Sequence, residues 1–351
     1  MKAQYKRLQL NRADTTGAVR IDTTAMKTNK SIAHPLWPIL LALAWLLTAP
    51  AFVSVEAAEK AIVSYPSRSL TSFIIPEIAR QRGFYLAEGI EANLIYVRGA
   101  IDIKALVTGD VDYAMASGSA VSAFVAGIPV RLVQGVVGRA EHVLVAQSKY
   151  RQVRDLKGQI IGSLNPGGLV DALLRQILLK NGLDPDRDVV LINLGGTPER
   201  YAALKSGTVA ATVLSAPHNF RAERDGFRKI AAAADYLQVP TAGLAVRSDR
   251  VAKQPQQIKK MIRGNLRAMK FMRDNRADTI AIIIRELGMD PDSAAKGYEQ
   301  IISIMSDDGR IQSDGVQFLI DLARQTQKVA KPLAATQMID HSLLEEVLAG
   351  K

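Results

Sequence analysis

Alternating and helical spacings divide the chain beyond residue 58 into a recurring strand-helix pattern followed by a run of helices. Residues 61–65 (AIVSY) alternate as a short strand, and Pro66, Ser67, Arg68 and Ser69 follow as a hydroxyl-rich turn. Pro76 fits only the first turn of a helix, so a helix is expected from near Ser72 through Ile78 and Ala79 to Gly83. A strand over 91–97, a short helix over 103–107, a helix over 121–126 ended by Gly127, and strands over 130–137 and 142–147 come next. The polar, basic stretch 148–155 (SKYRQVRD) reads as a crossing from one lobe to another. After it the pattern restarts. A strand is expected over 158–163, an amphipathic helix through Leu173, Leu174, Ile177 and Leu178 to Asn181-Gly182, and a strand over 189–194. Thr197-Pro198-Glu199 opens a helix with Thr as cap, and 243–247 reads as a strand returning to the first lobe. From Gln256 onward the spacing predicts helices over 258–273, 277–287, 293–305, 316–329 and 342–348, with Met261, Leu266, Met269 and Met272 as core residues.

One segment occurs twice. Residues 105–119 (ALVTGDVDYAMASGS) and 203–215 (ALKSGTVAATVLS) coincide at Ala105/Ala203, Leu106/Leu204, Gly109/Gly207, Val111/Val209 and Ser117/Ser215, at an offset of 98 residues. Both copies read as a helix ended at Thr/Ser-Gly and a short strand stopping at serine. At the same offset Ile62-Val63 maps onto Ile160-Ile161, and Gly83 falls within one residue of the counterpart of Gly182. In open α/β sheets, ligands sit at the carboxyl ends of the strands, so two such platforms predict two similar lobes facing one another.

Composition places this pattern in an exported chain. Residues 36–47 (LWPILLALAWLL) form an apolar run of twelve, short for a membrane span, behind Lys27 and Lys30 and ahead of Val55-Glu56-Ala57. This reads as a signal peptide cleaved after Ala57, with an uncleaved anchor as the alternative and Met26 as the expected start. The expected organisation is therefore 1–57 as leader, 58–147 plus 242–351 as lobe I, and 148–241 as lobe II. The whole chain carries a net charge of +11; seven basic and three acidic residues fall before Ala58, leaving 38 and 31, or +7. No Arg/Lys block with interleaved aromatics accompanies that charge, so nucleic acid is not an expected partner. Cysteine is absent from the sequence, which excludes disulfides, thiolate catalysis and a lipid-anchoring cysteine.

Candidate chemistry gathers at strand ends. The turn at Ser67, Arg68 and Ser69, feeding a helix, can cradle an anion or carbonyl with its backbone N–H groups, Arg68 adding a bidentate partner or lying in solvent as an ordinary loop arginine. Gly167-Gly168 lets the backbone approach a bound group that Asn165 can hydrogen-bond. Tyr65 or Phe220 can pack on an apolar part, and His142, beside Glu141, and His218 can approach the cleft. No Ser-His-Asp arrangement, paired-carboxylate spacing, HExxH motif or GxxxxGK[ST] loop is present, so neither catalysis, a metal nor a cofactor is expected, and any ATPase is a separate chain.

Residues 82–90 (RGFYLAEGI), 106–112 (LVTGDVD), Asp155-Leu156-Lys157-Gly158, and the tail Asp307-Asp308-Gly309 with Ile339-Asp340 resemble the periplasmic solute-binding proteins of the nitrate/sulfonate/taurine ABC-transporter group, which includes the thiamine-pyrimidine-precursor-binding branch. The resemblance covers most of 58–351. It implies an α/β chain with the type II periplasmic-binding-protein fold, two α/β lobes joined by two crossings and a helical C-terminal part. It also implies a monomeric periplasmic receptor that passes a small solute to an ABC permease and its ATPase subunits. The solute classes implied are a sulfonate, nitrate, an aromatic acid or a pyrimidine. The family's pocket segments fall here on Ser67, Arg68 and Ser69, on Ser117, Gly118 and Ser119, on the turn with Asn165, Gly167 and Gly168, and on Ser215 with His218. Pyrimidine-synthesising relatives carry a cysteine-rich motif that this chain lacks, so that activity is not expected. An enzyme on the same fold and a ligand sensor for a membrane receptor are the competing classes.

Overall fold

The computed structural model describes residues 57–97, 101–164 and 166–350; the apolar run at 36–47, Met26 and Asn165 lie outside the described residues. The first part runs β1 (Glu59–Tyr65), α1 (Ile74–Gln81), α2 (Phe84–Ala87), β2 (Ile90–Tyr96), α3 (Ile101–Thr108), β3 (Tyr113–Met115), α4 (Gly118–Val125) and β4 (Val130–Val137). The middle runs β5 (Val143–Ala146), a 3₁₀ turn (Val153–Leu156), β6 (Ile160–Ser163), α5 (Leu169–Lys180), β7 (Val190–Asn193), α6 (Thr197–Lys205), β8 (Ala211–Leu214), α7 (His218–Arg224) and β9 (Arg228–Ala232). The tail runs β10 (Ala242–Arg247), α8 (Ser248–Lys253), α9 (Pro255–Asp274), α10 (Arg276–Leu287), α11 (Pro291–Ile304), α12 (Ser313–Gln327) and α13 (Ser342–Leu348).

These strands form two five-stranded sheets of the same plan, ordered β2-β1-β3-β10-β4 and β7-β6-β8-β5-β9. The repeat holds at the level of register: Val63 and Ser64 pair with Tyr113 and Ala114, and 98 residues later Ile161 and Gly162 pair with Ala211 and Thr212, both parallel. Its punctuation also holds. Gly109 and Gly207 take φ of 87° and 78°, Gly83 and Gly182 take 71° and 77°, and Thr108 Oγ1 and Ser206 Oγ each donate to the carbonyl of Ala105 or Ala203 at 3.1 Å.

Each sheet takes its single antiparallel strand from the far side of a crossing. β5 leaves β4 and enters the second sheet between β8 and β9; β10 leaves β9 and enters the first between β3 and β4. The strand expected over 142–147 therefore belongs to the second sheet rather than the first, and the crossing is 138–142, not 148–155. The stretch looks like a crossing because it is mostly polar, but Tyr150 and Val153 within it are buried, and Val153 and the following Leu156 belong to a 3₁₀ turn capped by Gln152 and Asp155. β9 carries little apolar pattern because Arg228 and Lys229 open an edge strand with a wet face. At α6 the cap is Gly196, and the Thr197 hydroxyl accepts from Arg200 Nη2 at 3.2 Å instead.

The tail packs mainly on the first sheet. α9 buries Ile258, Met261, Ile262, Met269 and Met272 in one core with Tyr85, Ile78 and Leu244, each such side chain contributing about 1.5–3 kcal/mol by leaving water. The outer edge of β4 is covered by tail segments: Gly135 N donates to Gly309 O at 2.7 Å, and Leu132 exchanges bonds with Met338 and Asp340 at 3.1 and 2.9 Å. α12 behaves differently. Val316, Leu319 and Ile320 join a core that contains Val121 beside the first sheet and Leu173 and Ile177 beside the second, so this helix braces both.

Candidate functional site

A cavity of about 390 Å³ opens where the carboxyl ends of both sheets meet the two crossings. From the first sheet come the loop after β1 and Gly118; from the second come Leu169 and Ser215 to Pro217; from the crossings come Glu141, His142, Pro240 and Thr241. The tail closes it with Leu287, Met289, Gln300, Ile301 and Ile304. The hydroxyls of this loop bind one another. Ser69 Oγ lies 3.2 Å from Thr71 Oγ1 and 3.1 Å from Ser72 Oγ, while Ser72 Oγ donates to Ser67 O at 2.7 Å.

The crossings are tied together and to the tail. Thr241 N donates to Val137 O at 3.1 Å, Ala233 N to His142 O at 2.9 Å, and Gln300 Nε2 to Glu141 O at 2.7 Å. Among the described residues, Glu141 Oε2, His142 Nδ1 and Gln300 Oε1 are buried without a hydrogen-bond partner. Arg68 stands at the rim, 59% exposed, with Nη2 3.5 Å from Glu286 Oε2 and its guanidinium 5.2 Å from the centre of the Phe73 ring. Glu286 thus shares its charge. Burial works against ionisation of Glu286, but hydrogen bonds from Gln81 and Arg285 and the nearby cations hold its pKa below the ordinary value.

Of the residues singled out from sequence, Ser67, Arg68, Ser69, Gly118, His142 and Ser215 line this cavity. Tyr65 lies outside its lining, against Phe73 and Tyr96 at centroid distances of 4.7 and 5.9 Å. Ser117 is buried behind Gly118, and Ser119 turns away to donate to Asp102 Oδ2 at 3.3 Å. Gly167 gives its N–H to Asp171 Oδ2 at 3.0 Å and Gly168 precedes α5, so Leu169, not the glycines, reaches the cavity. His218 lies outside the lining, edge-on to Tyr201 at 5.8 Å; burial, then the charges of Arg221 and Arg200, hold its pKa below the ordinary value. Phe220 lines a second groove behind the crossing, whose wall also includes Glu141, His142 and Gln300. Gln300 carried no local signal, because it reaches the site only through the docking of α11. Leu287 and Met289 flank Gly288, whose φ of 62° ends α10, a stop signal that places both in one turn.

No group of three or more His, Cys, Asp or Glu suited to a metal ion occurs among the described residues. What this geometry offers is a two-sided cleft with a polar loop and an aliphatic floor, placed beside the two crossings. Solved structures share the fold. The periplasmic aliphatic sulphonate-binding protein SsuA from Escherichia coli superposes with a TM-score of 0.67 at 18% identity, over 82% of this chain and 99% of that one. The periplasmic nitrate-binding protein NrtA from Synechocystis PCC 6803 gives 0.64 at 14% identity, over 84% and 89%. Riboflavin-binding protein RibY from Chloroflexus aurantiacus is 28% identical over 213 residues, a match spanning 58% of this chain and 58% of that protein's length. The NMT1-like family model matches residues 74–285, and the chain belongs to the NMT1-like family.

Proposed function

We propose that the chain is the solute-binding component of an ABC importer, working in the periplasm as a monomer beside a permease and separate ATPase subunits. The carrying observation is that one cavity takes its walls from both sheets, both crossings and the tail. Sheet membership supports two lobes, 57–142 with 242–350 and 143–241, hinged at 138–142 and 233–241. A solute touching both lobes binds the closed form better than the open one, and that difference drives closure. Shifting a two-state hinge from mostly open to mostly closed takes about 5.5 kcal/mol, within reach of a few charge-assisted hydrogen bonds at about 1.5–3 kcal/mol each.

The solute is a compact molecule with an oxygen-rich or acidic end at Ser67–Ser72 and an apolar body on the aliphatic floor. No Phe, Tyr or Trp occurs among the described lining residues, which favours aliphatic contact over stacking between rings. Sulfonate, nitrate and riboflavin are named for three similar proteins and define the first solutes to test. Native mass spectrometry on residues 58–351, purified without refolding, should show a retained small molecule that leaves on denaturation. A thermal-shift screen of sulfonates, nitrate, pyrimidines, aromatic carboxylates and riboflavin follows. Chemical turnover of the bound solute during incubation would replace this reading with an enzyme on the same fold.

A further inference from the structure

We propose that the solute also carries an N–H donor, an ammonium, amide or ring N–H, at the end that meets the 138–142 crossing. The site would then favour such molecules over plain oxyanions. This rests on the solute-binding reading above and narrows its ligand class.

Three side chains of one wall carry unmatched polar atoms. Gln300 commits its Nε2 to the Glu141 carbonyl at 2.7 Å, which leaves Oε1, an atom that can only accept, as its free end. Glu141 Oε2 is a second buried acceptor, without a hydrogen-bond partner among the described residues. His142 Nδ1, also buried and unpartnered, can take either role. All three residues line the cavity. Buried acceptors left unmatched cost stability, and a carboxylate costs most, so the wall gains when a bound molecule brings donors to it. A nitrate or an alkanesulfonate brings only acceptors and a negative charge, which Glu141 repels. An aminated or amide-bearing acid satisfies both ends: its oxyanion faces the hydroxyl loop, and its N–H groups face Glu141 and Gln300.

The test uses residues 58–351 and matched probes: 4-aminobenzoate against benzoate, 4-aminobenzenesulfonate against benzenesulfonate, and 5-aminopentanoate against pentanoate. Isothermal titration is read beside native mass spectrometry for any retained solute. The amino member of at least one pair should bind tenfold or more tighter than its partner. Glu141→Gln, checked for an unchanged melting curve, should cut that preference at least fivefold; Glu141→Leu is the second variant. Equal or reversed preference, or a retained solute without an N–H group, overturns this inference while leaving solute binding standing. Binding of no probe together with no retained solute overturns the solute-binding reading, and this inference with it.

Discussion

Arg224 Nη1 lies 3.1 Å from Asp290 Oδ1 and so joins α7, which belongs with the second sheet, to the residue that caps α11 in the tail. Asp290 is already committed there, accepting from Ser293 N at 3.0 Å and Ser293 Oγ at 2.8 Å. Those bonds, with Arg224 behind them, hold its carboxyl near a pKa of about 2. Both partners are more than a third exposed, so the pair itself is a weak tie across the cleft. Arg224→Ala should raise the dissociation constant of the bound solute only about two- to fivefold, mostly through faster release. Asp290→Ala should do the same and also lower the melting temperature by about 2–4 °C, because it removes a helix cap. Unchanged release rates in both variants would mean that the tie is equally made in open and closed forms.

Gly118 offers a way to fill the cavity without disturbing the fold. It opens α4 and lines the cavity, and a Cβ built on it meets nothing within 4 Å. Gly118→Leu should therefore leave the melting temperature within a degree or two while reducing solute affinity at least tenfold. A variant that melts normally and binds normally would remove Gly118 from the site.

Gly315 has the opposite property. A Cβ there would lie 1.8 Å from Gln238 O, on the 233–241 crossing, so the start of α12 rests directly on the backbone of that crossing. Gly315→Ala should force the two apart and cost about 1–3 kcal/mol or more of stability. Thermal unfolding checks this, and a wild-type melting curve would show that α12 can shift freely at that end.

Asp102 should make stability depend on pH. Burial pushes its carboxyl from an ordinary 3.8 up to about 6, against hydrogen bonds from Ile103 N and the Ser119 hydroxyl. The folded chain therefore holds this proton more tightly than the unfolded chain. The resulting stabilisation is complete below about pH 4 and is lost as pH rises through 6. Asp102→Asn keeps the shape without the charge. It should match the wild type below pH 4 and exceed it by about 1–3 kcal/mol at pH 7–8. Parallel stability profiles for the two proteins from pH 4 to 8 would contradict this.

Much of the architecture was legible in the residues because its signals are local. The glycines that end helices, the prolines that open α9 and α11, and the 98-residue recurrence of Ala-Leu and Gly each act within a few positions of backbone. The loop of Ser67, Arg68 and Ser69 was legible for the same reason. His218 and Tyr65 were not placed correctly against this cavity, because a residue's position on a strand or helix end says nothing about which way its side chain finally packs.

The sequence alone determined that there are two similar sheet-building units, where most strands and helices start and stop, and that no cysteine chemistry is available. Tertiary structure alone decided which sheet receives β5, and that Glu141 and Gln300, 159 residues apart, share one wall. A strand's hydrophobic pattern fits either of two similar sheets, and only the closing of a chain over its neighbours selects one. Long-range pairing is a property of packing, and packing is settled by the whole core at once.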